Sequence, residues 1–543
     1  MTRSYAALKS FALSFSVLAL AACSAAGDDD TQGDDADQAF SSNLATLVDF
    51  EFDGELVTDS TWGVRDKIDD QFLYTIGHLN ANRSVGRLDN LVVTNVKTTS
   101  LGGGQTKVTY HARLPVAWGS KTNIPSTYAF TLPKNVSYSG LESFTSKYKA
   151  SCVDWGAHDV DSGSMWYYYR PKKSGCALDA NDVVSMTATI TTAANNTSGK
   201  YPEYQKVWED DVLEVVSIFG KYEDGATAND AGIDAYNEFV GSVRGALSGA
   251  TTVPASVAQN PGVATPDVTF KATLPDGKKV VVTALLVDNV RTAGAAFDAR
   301  YAQLSKTADV IMYNGHAGLG QNVQALARKG QFLSNRYLLL FMNGCDTFAY
   351  VDGYLAQTRA QLNPSDPTGT KFMDIVTNAM PAYFASDSEA SMALVRGLMS
   401  TDKPQTFEQM FKNIDSSQVV LVTGEEDNAF TPGMKIGSGG GGTTEPTPVL
   451  DVSGTVAKNG TRRFKAANLE AGSYTFELTG TGDADLYLRA GLSPTTTSYD
   501  CRSNGVGTSK ETCQLDVPAG ATLYVGVRGR ATSSSFRLVA RKD

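Results

Sequence analysis

Histidine is scarce in this chain of 543 residues: there are four, at positions 78, 111, 158 and 316. None opens an HExxH, so the helix-borne zinc site of the zincin peptidases is excluded. GxSxG is absent, as is GxxxxGK followed by Ser or Thr, which removes the minimal parts of an α/β-hydrolase nucleophile elbow and of a phosphate-binding P-loop. No cluster of basic residues stands out, and 47 Lys and Arg against 58 Asp and Glu give a net charge of -11, so nucleic acid is not an expected partner. What is present is core material. The 42% apolar residues suffice for two to four folded domains at about 100–200 residues each.

The N-terminus carries an address. Arg3 and Lys9 precede the apolar run Phe11–Ala22, which is too short to cross a bilayer of about 30 Å and has the form of a secretory signal. Its end, Leu20-Ala21-Ala22-Cys23, resembles the lipobox of bacterial lipoproteins. The resemblance implies that residues 1–22 are a signal peptide and that Cys23 is acylated, with ordinary secretion and an incidental Cys23 as the alternative. Ser24, where inner-membrane lipoproteins carry Asp, implies an outer-membrane or cell-surface location in a Gram-negative envelope. Residues 23–44 include DDDTQGDDAD, six aspartates with Ala36 as the one apolar residue, and read as a solvated tether.

Six cysteines follow the same logic. Export means oxidising surroundings, so the near neighbours Cys152 with Cys176 and Cys501 with Cys513 are expected disulfides. With Cys23 acylated, Cys345 has no partner, and a lone thiol in an exported chain is open to oxidation unless it is buried or used.

Composition divides the rest into blocks. Residues 45–250 alternate as antiparallel sheet does, as in Val108–Leu114, with further runs at Leu91–Val96 and Val212–Phe219; Asp230 is an expected N-cap for one closing helix. No family is recognised for this block. Asp154, His158, Asp159 and Asp161 carry metal-ligand side chains but not an EF-hand or zincin spacing, so no metal site is assigned. Residues 437–448, GSGGGGTTEPTP, read as a linker.

Between them, residues 267–436 alternate strand with helix, which predicts an α/β domain with a mainly parallel sheet covered on both faces. The strand Asp309–Tyr313 runs into Asn314-Gly315-His316-Ala317-Gly318, and the strand Tyr337–Met342 into Asn343-Gly344-Cys345-Asp346. Residues beyond the carboxyl ends of such strands line the binding crevice, and neighbouring strands about 4.8 Å apart bring an imidazole and a thiol together. A thiol beside an imidazole can ionise and attack a carbonyl, while flanking glycines let backbone amides face an oxyanion.

At these residues the chain resembles the caspase–gingipain superfamily of cysteine peptidases (clan CD), over residues 278–425. The phrase MYNGHAGLG and the 29-residue interval from His316 to Cys345 are similar to the gingipain branch. The resemblance implies that Cys345 is the nucleophile, that His316 is the acid/base, and that the amides of Ala317 and Cys345 form the oxyanion hole. It also implies Asp288 and Asp346 as acceptors of a basic substrate side chain, with solvated loop carboxylates as the alternative. Ala317 stands where the family has Gly and Gly344 where Ala is common, which leaves open a degenerate scaffold.

The last block, residues 449–543, alternates at Tyr474–Leu478 and Leu523–Val527 and predicts a small β-sandwich. GTGDADLYLRAG, SYDCRSNG and LYVGVRG resemble the bacterial pre-peptidase C-terminal domain. That resemblance implies a secreted peptidase and, through Asp483 and Asp485, a possible calcium contact, with a turn-and-sheet role as the alternative. The expected function is therefore a surface lipoprotein acting as a cysteine endopeptidase on protein or peptide substrates, without another cofactor. The alternative is a non-enzymatic surface-binding lipoprotein.

Overall fold

The computed structural model describes residues 40–351, 354–437 and 449–542. The signal segment, Cys23 and most of the linker lie outside the described residues.

A nine-stranded sheet organises the chain. Its order is Phe40–Ser42, Val420–Thr423, Met373–Asn378, Leu338–Asn343, Val310–Asn314, Val212–Gly220, Lys279–Val287, Asp267–Thr273, Thr251–Val253. The five central strands, from Met373–Asn378 to Lys279–Val287, are parallel, and the two strands at each end run antiparallel. All five residues of Val310–Asn314 and all six of Leu338–Asn343 are buried, as strands covered on both faces must be. Helices Ala231–Ala246 and Phe384–Met399 pack together over one face, on Val215, Val282, Met312 and Phe341. Asp230 caps the first of them, accepting from the amides of Gly232 and Ile233 as its position predicts.

Two expected boundaries move. Val212–Gly220 was expected in the first block; it lies instead in the middle of the parallel sheet, between Lys279–Val287 and Val310–Asn314. Its unbroken apolar run is the mark of a strand buried on both faces, and α/β architecture therefore begins well before residue 267. At the other end, Phe40–Ser42 is not tether: it pairs with Val420–Thr423, and the Ser42 hydroxyl donates to the Val420 carbonyl at 2.7 Å.

Residues 46–192 form a six-stranded antiparallel sheet around Thr46–Thr58 and Gln105–Trp118. A 17-residue helix, Val64–Asn80, packs against it and was missed from sequence. Its buried face carries Gln71, Thr75 and His78 among Ile68, Phe72, Ile76 and Leu79, so polar residues interrupt the apolar stripe. The core of this sheet is continuous with the second face of the parallel sheet: Phe50, Phe72 and Phe130 belong to the same apolar cluster as Ile311, Leu340 and Met342. The first block and the α/β layer are thus one folded body.

Residues 449–542 form two four-stranded antiparallel sheets packed on Phe476, Leu486, Val525 and Leu538. The Cys501–Cys513 disulfide joins a strand of one sheet to a strand of the other. The expected β-sandwich is present. No described helix is long and apolar enough to cross a membrane.

Candidate functional site

Asn314 and Asn343 are paired in register at the carboxyl ends of adjacent parallel strands. Each is followed by glycine and then by the candidate residue, His316 or Cys345. Three strand-end asparagines, Asn314, Asn343 and Asn378, are fully buried and bonded in a row. The Asn343 amide donates to Asn314 Oδ1 at 2.8 Å, and the Asn378 amide donates to Asn343 Oδ1 at 3.0 Å and to the Gly344 carbonyl at 3.2 Å. Ser217, Ser391 and Gln418 complete the network. This buried row of bonds ties the three strand ends to one another.

The two turns touch. A Cβ on Gly344 would sit 2.7 Å from the Gly315 carbonyl oxygen and 3.3 Å from the Ala317 amide nitrogen. Glycine before Cys345 is therefore required by close approach, and the Ala317 amide lies beside the cysteine turn. Gly315 takes φ 140°, a conformation that suits glycine.

His316 is half-buried. Its Nε2 lies 3.1 Å from the Tyr222 carbonyl and donates there, which leaves Nδ1 as the nitrogen able to take a proton. The rings of Tyr222 and Phe384 flank the imidazole at 5.2 and 5.0 Å. Its own carbonyl accepts from the Tyr313 hydroxyl at 2.8 Å and the Asn322 amide at 2.9 Å, so both ends of the residue are fixed.

Cys345 is the free cysteine among the described residues. Its Sγ donates to the Ala382 carbonyl at 3.5 Å. Burial, with the Asp346 carboxyl adding to it, pushes the thiol up to about 12. In this state the sulfur is protonated at neutral pH.

The two candidate specificity carboxylates sit in different surroundings. Asp346 is fully buried and does not reach the crevice: its Oδ1 accepts from the Asn80 amide at 2.8 Å, and burial pushes it up to about 7. The cause is its place in a left-handed turn, φ 53°, that directs it toward the antiparallel sheet domain. Asp288 is half-exposed, but the Lys221 ammonium binds it at 2.7 Å and holds it below the usual carboxylate range.

Each remaining histidine is accounted for elsewhere. His78 accepts from the Thr131 amide at Nε2 and bonds Tyr128, and burial lowers it to about 3. His111 pairs with Asp53 at the surface and His158 lies beside Asp159. Asp154 is ion-paired to Arg170 at 2.9 Å, and among the described residues no group of three or more His, Cys, Asp or Glu is arranged to hold a metal. In the sandwich, Asp485 is buried on Arg530 at 2.6 Å, and the Asp483 carboxylate accepts from the Gly507 amide. Both expected disulfides are formed.

The sequence did not point to Asn80, Tyr222 or Phe384, whose contacts with Asp346 and His316 come from distant elements.

Comparison with known proteins decides one region. Residues 461–529 match the family of the bacterial pre-peptidase C-terminal domain. The C-terminal sandwich is that domain. The chain is 38% identical over 94 residues to the neutral protease of Vibrio proteolyticus, covering 17% of this chain and 15% of that protein. It is 36% identical over 92 residues to the zinc metalloprotease of Helicobacter pylori, covering 17% and 35%. Both similarities fall on the pre-peptidase C-terminal domain. Among solved structures, "vEP C-ter 100" is 30% identical with a TM-score of 0.15, over 17% of this chain and 92% of that one. The chain thus spans about a sixth to a third of the curated relatives named here.

Proposed function

We propose that this protein is an exported cysteine endopeptidase of the caspase–gingipain type, with Cys345 and His316 as its dyad. The observation that carries the reading is the placement of the two residues on touching turns beyond adjacent parallel strands, with His316 Nε2 bound to the Tyr222 carbonyl and Nδ1 free. In that reaction His316 takes the Cys345 proton and the thiolate attacks the peptide carbonyl carbon. The amides of Ala317 and Cys345 hold the resulting oxyanion. Collapse breaks the C–N bond, the amine leaves with the proton from His316, and water then hydrolyses the thioester to regenerate the thiol. The reading is supported by the pre-peptidase C-terminal domain, which this chain shares with proteins named proteases. It extends to protein or peptide substrates and to anchoring at the outer membrane through acylated Cys23.

The test is alkylation by an iodoacetamide or acyloxymethyl ketone probe, mapped to Cys345, alongside a fluorogenic peptide panel. Cys345→Ala and His316→Ala each remove labelling and cleavage if the dyad is real. A second reading, a surface-binding protein that keeps the scaffold without the chemistry, is favoured by the protonated thiol. Unlabelled Cys345 in native protein and in every variant that exposes it would establish that reading instead.

A further inference from the structure

Cys345 stands between two fixed points. Before it, Asn343 is locked in the row of strand-end asparagines, and Gly344 lies against the Gly315 carbonyl. After it, Asp346 takes φ 53°, a left-handed conformation that residues with a Cβ rarely adopt and that persists where neighbours enforce it.

The residues beyond Asp346 are pinned. The Thr347 hydroxyl donates to the Met342 carbonyl at 2.6 Å and accepts from the Asn378 amide at 2.9 Å. The Phe348 ring meets that of Phe40 at 6.0 Å, and the Arg87 guanidinium lies over it at 5.7 Å. Tyr350 meets Trp166 at 6.4 Å and packs closely on the turn that carries His316, since a Cβ on Gly320 would sit 3.1 Å from the Tyr350 Cβ. If Asp346 relaxed to an ordinary conformation, the change in chain direction would therefore be taken up on the Cys345 side.

The main chain of Asp346 is held within the α/β layer: its amide donates to the Met380 carbonyl at 3.3 Å, and its carbonyl accepts from the Ala349 amide at 2.9 Å. Its side chain is held from outside that layer. Asn80, the last residue of helix Val64–Asn80, donates from Nδ2 to Asp346 Oδ1 at 2.8 Å. Both side chains are buried, so losing this bond leaves a buried polar group without that partner. Asn80 is fixed in turn, because the same Nδ2 donates to the Ser84 carbonyl at 3.1 Å.

We propose that Asn80 is a positioning residue for the candidate nucleophile: its bond to Asp346 holds the left-handed turn that aims Cys345 at His316, so the antiparallel domain completes the site. This rests on the peptidase reading above and deepens it. Misplacing a reacting atom by about 1 Å can cost on the order of a hundredfold in rate, so one bond at the next residue is enough to matter.

The experiment compares the full chain with Asn80→Ala, Asp346→Ala, Asp346→Gly and the pair Asn80→Ala with Asp346→Gly, each with His316 intact and as His316→Ala. The readouts are the iodoacetamide alkylation rate of Cys345, mapped by peptide mass, and kcat and KM on the fluorogenic peptide panel; circular dichroism and melting report folding. Glycine takes the left-handed conformation without strain, so it removes the need for Asn80 while restoring no contact with the antiparallel domain. Asn80→Ala and Asp346→Ala are each expected to lower kcat by about tenfold or more with KM within about twofold, and to lower the His316-dependent part of alkylation with it. The pair Asn80→Ala with Asp346→Gly is expected to recover most of that loss. If Asn80→Ala does not fold, Asp346→Gly against Asp346→Ala decides the matter, since both lose the bond and differ in tolerance of the turn. Asn80→Ala within about twofold of wild type, or losses that Asp346→Gly does not recover, overturns the positioning role, the second result leaving Asn80 as a stabiliser of the fold alone. The two readings fail separately. Wild-type alkylation that ignores His316→Ala, with no peptide cut, sinks the dyad; the positioning role then stands only if Asn80→Ala alters Cys345 alkylation by about fivefold or more and Asp346→Gly reverses the change. Cleavage that is lost in His316→Ala and kept in Asn80→Ala retains the dyad and sinks the positioning role.

Discussion

The C-terminal sandwich and the body formed by residues 40–437 are built on opposite plans. The sandwich buries its own core, ties its two sheets with its own disulfide, and its matched family covers residues 461–529 within it. The larger body has two sheets that cannot be separated, because one apolar cluster runs from Phe50 through Ile311. A module that satisfies itself can be joined to many partners and stays recognisable in each. A site whose neighbours come from a second sheet domain depends on contacts that leave no local pattern.

Core truncation is the strongest way to break this comparison. Phe50→Ala is expected to cost about 3–5 kcal/mol and to lower the unfolding transition of the whole 40–437 body, including the α/β layer. Phe476→Ala, of similar cost, is expected to lower only the sandwich transition. Calorimetry on the full chain reads both, and a Phe50→Ala effect confined to the antiparallel sheet would contradict the shared core.

Disulfide removal comes next. Cys501→Ala with Cys513→Ala is expected to destabilise the sandwich by about 2–4 kcal/mol without changing Cys345. Cys152→Ala with Cys176→Ala is expected to destabilise the main body by a similar amount and to leave the sandwich transition unchanged. A calorimetric scan in which either pair of substitutions shifts both transitions would remove the difference between the bridges.

pH separates the two regions more gently. Burial pushes Asp374 up to about 7 and Glu425 up to about 8. Asp374 faces the Tyr337 hydroxyl, the Asn428 amide and the carboxyls of Glu203 and Glu426; Glu425 faces the Thr197 hydroxyl and the carboxyls of Asp374 and Glu426. Because the folded pKa is raised, the folded state holds these protons between about pH 4 and 8 while the unfolded chain has released them. Stability of the main body is therefore expected to fall as pH rises through that window, by up to ~1.4 kcal/mol per pH unit for each group. Melting curves at pH 5 and pH 8 should show it, and Asp374→Asn should flatten the slope.

The smallest effect concerns the first strand. Ser42→Ala removes the bond to the Val420 carbonyl and is expected to cost about 1 kcal/mol, read as a shift in denaturant midpoint.

Much of the α/β layer was legible because its periodicity is local. The strands Val310–Asn314 and Leu338–Asn343 lie within one residue of their expected places. Val212–Gly220 was legible as a strand but not as a parallel one, since partner choice is a long-range property. His316 and Cys345 were found because each follows its strand directly. Asn80 was not, being 266 residues from its partner Asp346 along the chain.

By itself the sequence determined most strands of the α/β layer, the positions of His316 and Cys345 after adjacent strands, the two disulfides and the terminal sandwich, because hydrophobic period, turn residues and cysteine spacing act over short stretches. Only the tertiary structure decided that the antiparallel domain shares the core of the α/β sheet, that Asp346 turns inward to Asn80, and that the Tyr222 carbonyl holds His316. Those outcomes depend on packing within one shared apolar cluster, where burial and close approach, not sequence neighbours, select which side chains meet.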